Sequence, residues 1–412
     1  MSVAGSRVAV AGGSIAGCAA AIALKRAGCD VRVYERSSSA LMDRGAGIAI
    51  PGPLRETLVS AGYLPEDYAH CSYAGRQWIV ADGSWDGRVL WTQPSPINTK
   101  NWSMLWAALR AGVDNDCYVD GRSITGYRHD GGAIAVTFDD GHEDRVDLLV
   151  GADGYRSVIR SQMQPATHRD YAGYVLWRGN FSESRIPHDN PLRSAFAEKM
   201  WQTIVFPGGH CIMYMIPDHD DRVDAHHRRL NWAVYTPTPA GLDFEQPQSI
   251  PPGGVDATLY DSLDRLLSSH FPPAFADLVR LSGMEEVSIQ AIYDEVVESY
   301  ADGRVMLIGD AGCITRPHTG SGATKALQDA LILEKLACDL SDWSQVLAGY
   351  DAERTEAGTM LMQLGRRLGH AQVERTPNWT KMRPSDFVDW TRASLAGEQL
   401  YLYGEESDRQ PG

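Results

Sequence analysis

The segment Gly309–Ala330, GDAGCITRPHTGSGATKALQDA, concentrates side chains of the types that carry out catalysis. Those side chains are Asp310, Cys313, Arg316, His318 and Lys325. The segment also holds glycines and a proline, and it lies between a strand-like apolar run and a helical pattern. Because the backbone N–H groups of such a loop bind anions, we expect the segment mainly to hold a ligand. His318 stays open as a side chain that also contacts a small molecule, while Arg316 and Lys325 either screen ligand charge or lie on the surface.

A glycine-rich loop also follows the first predicted strand, RVAVA. Its string GGSIAG matches the dinucleotide pattern G-x-G-x-x-G with Gly12 first, Ser14 in the middle and Gly17 last. An alanine-rich helix and a second strand, DVRVYE, complete a βαβ unit, and Glu35 at the end of that strand is placed to bind ribose hydroxyls. The alternative is an accidental glycine turn with Glu35 as a surface charge.

The bulk properties of the chain limit its class. Its 412 residues are enough for two domains, and 43% hydrophobic with 22% charged residues is an ordinary globular composition. The net charge of −15 gives no electrostatic reason to bind nucleic acid or an anionic membrane. The seven cysteines are never spaced as CxxC, so we expect reduced thiols in a cytoplasmic protein and no metal site. We expect neither a signal peptide nor an apolar run near the roughly 20 residues that span a bilayer.

The order of strand and helix patterns predicts an α/β fold. A Rossmann-like dinucleotide-binding domain is interrupted by a mostly antiparallel β region and followed by C-terminal helices. The first domain is predicted over residues 1–72, 99–170 and 285–345. The inserted domain is predicted over residues 73–98 and 171–284, and the C-terminal helical segment and tail over residues 346–412.

A third motif, GADGYRSVIR, follows a buried strand and fits D-G-x-x-S-x-x-R through Asp153 and Arg160. Together with GGSIAG, VYER and the pattern of Gly309–Ala330, in this order, it makes the chain resemble the class A flavoprotein monooxygenases, the group of p-hydroxybenzoate hydroxylase. The stretches YAGYVLWRG, GHCIMYMIP and RPH are similar to those of hydroxypyridine hydroxylases within that family. The resemblance implies that the Rossmann-like domain binds FAD and that the inserted β domain binds the substrate.

The resemblance also implies roles for single residues. Glu35 would bind the FAD ribose, Asp310 the ribityl or pyrophosphate oxygens, and the backbone at Gly320 and Gly322 the N1–C2=O edge of the isoalloxazine ring. Asp153 belongs to a motif associated with both FAD and nicotinamide binding, and NADH or NADPH would dock transiently because no second fingerprint occurs. The residues expected to bind cofactor are Gly12, Ser14, Ile15, Gly17, Glu35, Arg36, Gly47, Ile48, Asp153, Asp310, Pro317, Gly320, Gly322, Ala323 and Thr324.

A few positions depart from the family pattern. Cys313 and Thr324 stand where His and Asn are frequent, and Cys313 is expected to be a packed residue and not a redox thiol. Members of this family often have an arginine that faces the flavin. The only basic residues at the corresponding place in this sequence are Lys100 and Arg110, so that contact is in question.

The candidate substrate-contacting residues lie in the aromatic strands of the inserted domain and beside the second glycine loop. They are His318, His210, Tyr214 and Arg178. Strand alternation puts His210 and Tyr214 on one face, and it puts Tyr174 opposite Trp177 and beside Arg178 provided that no bulge intervenes. The structural alternatives are a turn residue for His210, core packing for Trp177 and Tyr214, an ion pair for Arg178 and a loop cap for His318.

By the resemblance, the chain would hydroxylate a hydroxypyridine- or phenol-like molecule, using FAD, NADH or NADPH, and O2, through a C4a-hydroperoxyflavin. The alternatives are a Baeyer–Villiger, epoxidising or ring-opening reaction, and a flavin-binding sensor without turnover. A flavin-dependent halogenase is discounted because MYMIP is the only string near its W-x-W-x-I-P motif. The expected partners are the small aromatic substrate and O2, with a homodimer left open. Adjacent His226 and His227 cannot share a helix face as metal ligands.

Overall fold

The computed structural model describes residues 2–38, 41, 46–188, 190, 192–218, 220, 222–244 and 249–403. Its strands are β1 (Arg7–Ala11), β2 (Asp30–Glu35), β3 (Gly47–Ile50), β4 (Cys71–Val80), β5 (Arg88–Asn101), β6 (Tyr118–Asp120), β7 (Ile124–Asp130), β8 (Ala133–Phe138), β9 (Glu143–Val146), β10 (Leu148–Gly151), β11 (Asp170–Ser182), β12 (Met200–Phe206), β13 (Gly209–Pro217), β14 (Arg228–Pro237), β15 (Ser249–Ile250), β16 (Ser288–Val296), β17 (Ala301–Asp302), β18 (Val305–Leu307) and β19 (Cys313–Ile314). Its helices are α1 (Ile15–Arg26), α2 (Gly52–Ser60), α3 (Trp102–Ala111), α4 (Val158–Met163), α5 (Leu192–Ala197), α6 (Ala257–His270), α7 (Pro273–Arg280), α8 (Ser321–Asp339), α9 (Trp343–Gly369) and α10 (Pro384–Leu395). The predicted α/β class is confirmed.

The first sheet is mostly parallel and has the strand order β17-β18-β10-β1-β2-β6. Its central strands are apolar along their length, and Leu148, Leu149 and Val150 of β10 are fully buried, as in strands covered on both faces. The helices α1 and α8 pack against each other beside it. Because β1, β10 and β18 run parallel, the loops that follow them meet at one edge of the sheet. Both glycine loops and the D-G motif start at that edge.

The second sheet is mostly antiparallel and has the order β15-β16-β11-β14-β13-β12-β4-β5-β3. Its strand β14 pairs with β11 over Tyr174–Ser182 without a register shift. One face carries Trp177 and Trp232 and packs on α6 and α7. The opposite face carries Tyr174 and Tyr235, which contact Val373 at the C-terminal end of α9. This opposite face is the one that lies toward the glycine loops.

Two strands inside the ranges predicted for the FAD-binding domain pair in the second sheet. Strand β3 is hydrogen-bonded to β5, and β16 to β11. Strand β5 also continues through the predicted boundary between residues 98 and 99. A strand pattern in the sequence specifies which face is buried but not the partner strand, which depends on distant parts of the chain. The domain boundaries stay predictions.

The C-terminal helices cover β4 and β5 through an aromatic cluster. The ring of Trp78 on β4 has its centroid 5.9 Å from that of Trp379, 5.7 Å from Phe387 and 5.4 Å from Trp390. Aromatic pairs at such separations contribute about 0.5–1.5 kcal/mol beyond the area that they bury. Within the described part of the chain, no helix is long and apolar enough to cross a bilayer.

Candidate active site

The first glycine loop is held by its neighbours. Gly12 has a φ of 101°, in the left-handed region that favours glycine. A Cβ on Gly17 would overlap the carbonyl oxygen of Gly12. The carbonyl oxygen of Gly13 accepts hydrogen bonds from Trp106 Nε1 at 2.9 Å and from the Tyr118 hydroxyl at 3.1 Å. The close packing of helix and strand that the fingerprint requires is therefore present.

Glu35 lies beside this loop and is only 7% exposed, so the surface alternative is wrong. Its Oε2 accepts from the N–H of Gly13 at 2.8 Å, and its Oε1 accepts from the N–H of Ser37 at 2.9 Å. These bonds hold the carboxylate at the end of β2, where a ribose contact would be made. Arg36 is exposed and Ile15 is buried.

Three side chains hold the loop after β18, Gly309–Ala311. Asp329 Oδ2 accepts from its first N–H at 2.8 Å. Arg160 Nη1 donates to its second and third carbonyl oxygens at 3.0 and 3.1 Å. Lys325 Nζ lies 3.1 Å from the carboxylate of Asp310, which remains 46% exposed. The loop is thus anchored from several sides, with one carboxylate left open to solvent or ligand.

Two of these anchors are members of buried ion pairs. Asp329 Oδ1 lies 2.6 Å from Arg354 Nη2 on α9, and Arg160 Nε lies 2.8 Å from Glu295 Oε1 on β16. Burial raises the pKa of Asp329, while the charges of Arg354 and Lys325 oppose that rise. Lys325 is fully buried, so the surface alternative is wrong for it.

Asp153 caps helix α4. Its Oδ1 accepts from the Ser157 hydroxyl at 2.6 Å, and its Oδ2 accepts from the N–H of Val158 at 2.7 Å. Burial raises the pKa of Asp153, and these hydrogen bonds oppose the rise. The cap fixes the start of the helix that carries Arg160, and so links the D-G motif to the loop after β18. Contact of Asp153 with FAD or nicotinamide stays a prediction.

The second glycine loop ends at the N-terminus of α8. Gly320 is the N-cap with a φ of 64° and has no side chain to cap the helix, while Thr319 Oγ1 accepts from the N–H of Ser321 at 3.2 Å. A Cβ on Gly322 would meet nothing within 4 Å. Pro317 and Ala323 are half-buried and Thr324 is buried. The first turn of α8 therefore faces free space on the side of Gly322.

Strand β3 connects this region to the second sheet. The N–H of Gly47 donates to Asn231 Oδ1 at 2.8 Å, and a Cβ on Gly47 would lie 2.6 Å from the ring of Tyr214. Any other residue at Gly47 would displace one of these side chains. Ile48, the next residue, is half-buried.

The last described residues of the chain cover the same region. The Tyr401 hydroxyl donates to the carbonyl oxygen of Gly320 at 3.1 Å and to that of Ala49 at 3.3 Å. The carbonyl oxygen of Leu402 accepts from the Ser95 hydroxyl at 2.8 Å. This segment therefore joins the second glycine loop to β3 and β5, which sequence reasoning did not foresee.

This arrangement fits FAD. The N-terminus of α1 is preceded by Ser14, and among the residues described no side chain caps it, so its N–H groups can bind a pyrophosphate. The open side of Gly322 leaves room for the edge of a flat ring, and the α8 dipole favours negative charge there. Glu35, Asp310 and the first glycine loop would hold the adenosine, ribityl and phosphate groups.

Aromatic side chains from three elements stack on one another beside the second glycine loop. The ring centroid of Tyr235 lies 4.4 Å from that of His318 and 4.4 Å from that of His210. The Tyr174 hydroxyl lies 2.8 Å from His318 Nε2. The Nδ1 atoms of His210 and His318 have no hydrogen-bond partner among the described residues. Buried polar atoms are almost always paired, so these two nitrogens are candidates to bind a ligand or a water molecule.

Both imidazoles are neutral at pH 7. Burial, with a smaller contribution from the charge of Arg76, lowers the pKa of His210 from 6.5 to about 3. Burial, followed by the neighbouring His210 and the charge of Arg316, lowers the pKa of His318 well below its usual value. A neutral imidazole has one donor nitrogen and one acceptor nitrogen. Each ring can therefore either donate a hydrogen bond to a ligand or accept one from it.

Replacing His210 by glutamine is expected to make stability less dependent on pH. Because the folded-state pKa lies below the unfolded one, the unfolded chain binds the proton first, and stability falls as pH drops from 6.5 towards 3. At pH 5 the loss is about 2 kcal/mol for this residue. Urea unfolding of wild type and H210Q at pH 7 and pH 5 measures it. An equal loss in both proteins would show that His210 is not buried in its neutral form.

Arg316, two residues before His318, is a structural anchor. Its Nε lies 2.7 Å from Asp294 Oδ2, and its Nη1 lies 2.7 Å from Glu374 Oε1. It is 8% exposed, so the surface alternative is wrong for it too. Its Nη1 also lies 3.5 Å from the Tyr174 hydroxyl, which bonds His318. These ion pairs fix the loop that carries the imidazole.

Arg178 lies on the same face of β11 as Tyr174, and its charge opposes the rise that burial causes in the pKa of Tyr235. Its Nη1 donates to Gln290 Oε1 at 3.3 Å, and it is half-buried. Trp177 lies on the opposite face, where its Nε1 donates to Thr236 Oγ1 at 3.0 Å and its ring packs in the core. Of the four catalytic candidates, the structure brings His210 and His318 together through Tyr235, and places Tyr214 beside Gly47.

The positions that depart from the family pattern have structural partners. Lys100 Nζ donates to the carbonyl oxygen of Ala69 at 2.9 Å, and Arg110 donates to the loop after α3 at 2.7 Å. Neither bond is made to a glycine loop. Cys313 is 1% exposed, its thiol donates to the carbonyl oxygen of Gly358 at 3.5 Å, and burial raises its pKa to about 11. It is a packed residue, as expected.

Sequence reasoning missed several residues that build this site. Arg160 and Asp329 occupy fixed positions of the two motifs, which was a usable signal, but no role followed from the spacing alone. Tyr235 follows Val234 in β14. Polar and aromatic side chains occur on one face of this strand, and that pattern was a usable signal. Asn231 had no signal, because its partner Gly47 is distant in the chain.

Flavin-dependent monooxygenases are among the known proteins that match the chain. Residues 171–294 match a family described as FAD binding domain-like, and residues 258–364 match the FAD binding domain family. The chain is 28% identical over 384 residues to 2,6-dihydroxypyridine 3-monooxygenase of Paenarthrobacter nicotinovorans, an alignment that covers 90% of this chain and 93% of the relative. The solved 2,6-dihydroxypyridine-3-hydroxylase of Arthrobacter nicotinovorans superposes with a TM-score of 0.81 at 26% identity, covering 92% and 95% of the two chains. Klebsiella pneumoniae HpxO, complexed with FAD and uric acid, superposes with a TM-score of 0.74 at 23% identity, covering 95% and 97%.

These matches confirm the resemblance of the chain to the class A flavin monooxygenases. It is a FAD-dependent monooxygenase of the aromatic hydroxylase type. The similarity to 2,6-dihydroxypyridine 3-monooxygenase extends over nearly the whole chain, so the resemblance to hydroxypyridine hydroxylases is confirmed.

Proposed function

We propose that this protein uses NADH or NADPH and O2 to hydroxylate an electron-rich aromatic or N-heteroaromatic small molecule, such as a hydroxypyridine or a phenol. The observation that carries the proposal concerns the buried Nδ1 atoms of His210 and His318 beside Tyr235. Neither atom has a hydrogen-bond partner among the described residues. A planar ring with hydroxyl groups has the flat face and the polar edge that such a site can bind.

Bound FAD supplies the redox chemistry, since it accepts a hydride and lets one oxygen atom of O2 be transferred to a substrate. The protein contributes electrostatics and position. The backbone at Gly320 and Gly322, with the positive end of α8, would stabilise negative charge at the N1–C2=O edge of the flavin ring. The anchors Asp329 and Arg160 keep the loop after β18 in the conformation that leaves Asp310 accessible.

His318 is the candidate residue for holding a proton. When its Nε2 carries the hydrogen and donates to the Tyr174 hydroxyl, its Nδ1 is an acceptor. A substrate hydroxyl that donates to this Nδ1 is polarised, which raises the electron density of the ring and makes it a better target for an electrophilic oxygen. His210, whose ring centroid lies 5.4 Å from that of His318, would orient a second polar atom of the ring through its Nδ1.

The site also excludes water. His210 is 2% exposed, His318 is 6% exposed and Tyr235 is 2% exposed. Tyr401 and Leu402 join the loop at Gly320 to β3 and β5, and so cover this side of the site. Water exclusion protects reactive flavin species from loss without product formation.

A direct test is to purify the protein, record the flavin spectrum, and follow NADH and NADPH oxidation with and without 2,6-dihydroxypyridine. We expect bound FAD, oxidation that the aromatic compound stimulates, and a product heavier by one oxygen atom. A lactone, an epoxide or a ring-opened product would favour the alternative reactions. Flavin without stimulated oxidation by any of a panel of hydroxypyridines and phenols would favour the sensor, and absence of flavin would contradict the proposal.

The variant His318→Asn is expected to lower kcat by about 10²- to 10³-fold, because asparagine can accept a hydrogen bond but cannot hold a proton. FAD content and thermal unfolding should remain near those of wild type, since Arg316 fixes the loop independently. Tyr174→Phe, which removes only the hydroxyl that bonds His318, is the matched control and should lose less activity. A wild-type kcat in H318N would assign His318 to loop capping instead.

A further inference from the structure

Arg76 on β4 is a buried cation whose surroundings differ from those of other buried arginines. It is 3% exposed. The arginines Arg160, Arg316 and Arg354, which are also buried, each have a carboxylate oxygen within 2.8 Å. In the part of the chain that the structure describes, no carboxylate pairs with Arg76. Since a buried charge without a counter-charge is costly, its place in the fold calls for a ligand.

The contacts of Arg76 hold the guanidinium without neutralising it. Its Nε donates to Thr203 Oγ1 at 2.7 Å. The Tyr403 hydroxyl also accepts a hydrogen bond from the guanidinium. The guanidinium carbon lies 3.7 Å from the ring centroid of Trp78, 4.4 Å from that of Trp201 and 5.6 Å from that of Tyr403. Aromatic faces attract a cation but carry no net charge. Burial lowers the pKa of Arg76 to about 10, so the group is still cationic at neutral pH.

Arg76 lies on the same face of the second sheet as His210. The Nε of Arg76 donates to Thr203 on β12. Thr203 is paired with Ile212 on the neighbouring strand β13. Ile212 is two residues from His210 and faces the same side of the sheet. The charge of Arg76 also contributes to lowering the pKa of both His210 and His318. The guanidinium therefore acts on the two imidazoles from the same face of the sheet, on the strand side opposite β14.

We propose that Arg76 is the anion-binding residue of the substrate cavity, and that the aromatic substrate carries a negative charge, a carboxylate or an ionised ring hydroxyl, that pairs with the guanidinium. The inference rests on the proposed function and adds the charge of the substrate to it. The neutral imidazoles of His210 and His318 contact polar atoms of the ring, while Arg76 supplies the counter-charge. Because the chain has a net charge of −15, a buried cation is what makes the cavity favourable for an anion.

The test compares benzoate with benzamide, two ligands of nearly equal shape that differ in charge. Each is titrated calorimetrically into the FAD-loaded protein. We expect benzoate to bind at least about tenfold more tightly than benzamide in wild type, since hydrogen bonds to a buried charge are the strong ones. Arg76→Met should abolish this preference. Arg265→Met, which makes the same substitution at an exposed position on α6, beyond the opposite face of the sheet, is the control and should retain it.

Two further variants keep the test decisive if R76M does not fold or does not bind FAD. Arg76→Lys retains the charge but loses the planar fork, and Thr203→Val removes the acceptor that orients Nε. Both should weaken benzoate binding while leaving benzamide binding unchanged. Equal affinities for the two ligands in wild type, absence of benzoate binding, a preference that survives in R76M, or wild-type benzoate binding in both R76K and T203V would each overturn the proposal.

These titrations need no turnover, so they separate the two proposals. A protein that prefers benzoate through Arg76 but never hydroxylates a substrate would contradict only the proposed function. A protein that hydroxylates a neutral phenol and binds benzamide as well as benzoate would contradict only the role of Arg76.

Discussion

Asp329→Ala is expected to lower the free energy of unfolding by about 3–5 kcal/mol, because it leaves the buried guanidinium of Arg354 without its carboxylate. The same variant should be purified with little FAD, since Asp329 also accepts the N–H of Gly309 in the loop that would bind the cofactor. Urea unfolding and the flavin-to-protein absorbance ratio measure the two effects.

Two matched variants separate stability from cofactor binding. Asp329→Asn keeps an acceptor for Gly309 but removes the charge, so it should bind more FAD than D329A while still losing stability. Arg354→Met leaves a carboxylate that can take up a proton, because burial already raises the pKa of Asp329, and should destabilise less than D329A. If D329A binds FAD like wild type, the loop does not depend on this carboxylate.

Gly322→Ala is expected to change stability and cofactor affinity in opposite directions. The residue lies in the first turn of α8, where alanine is favoured over glycine by about 0.5–1 kcal/mol, and the added Cβ meets nothing within 4 Å. That free space is where the flavin edge is proposed to lie, so FAD affinity should fall by at least about tenfold, the equivalent of 1.4 kcal/mol. Thermal unfolding of the FAD-free protein and a titration with FAD provide the two readouts.

Gly349→Ala is the matched control for this prediction. Gly349 lies in α9, and a Cβ there would make an ordinary contact with Leu336 at 3.4 Å. We expect a similar gain in stability with no change in FAD affinity. Wild-type FAD affinity in G322A would mean that the isoalloxazine ring does not approach Gly322.

The cofactor half of the fold could be predicted because its signals are local. The strand RVAVA, the alanine-rich helix and the strand DVRVYE correspond to β1, α1 and β2. Helix α1 ends at Arg26, since Gly28 adopts a φ of 83° in the turn that leads to β2. Such patterns depend only on neighbours in the chain, so the sequence alone is sufficient for them.

The pairing of distant segments could not be predicted in the same way. Strand β16 has a plain strand pattern, yet its Asp294 forms ion pairs with Arg316 of the second glycine loop and with Arg366 of α9. Each of these charges alone looks like a surface residue in the sequence. These charges become buried and form ion pairs only because the folded chain brings them together.

The sequence predicted single residues of the substrate side of the site but not how they are arranged. His210 and His318 were each candidates, but their shared contact with Tyr235 depends on the register of β13 against β14 and on the position of the loop before α8. Arg76 belongs to no motif, and an arginine in a strand gives no sign that it is buried. Its significance comes from its burial and from the lack of a paired carboxylate among the described residues.

Helix α9 has a consequence for building hybrids of this enzyme with its relatives. Its Arg354 neutralises Asp329 behind the cofactor loop, and farther along the same helix Arg366 bonds Asp294 of the second sheet. A hybrid that takes the substrate-binding strands from one relative and the cofactor-binding loops from another would divide the contacts of this helix between two parents. Functional hybrids should therefore inherit α9, α8 and β16 as one block, with exchange restricted to β11–β14.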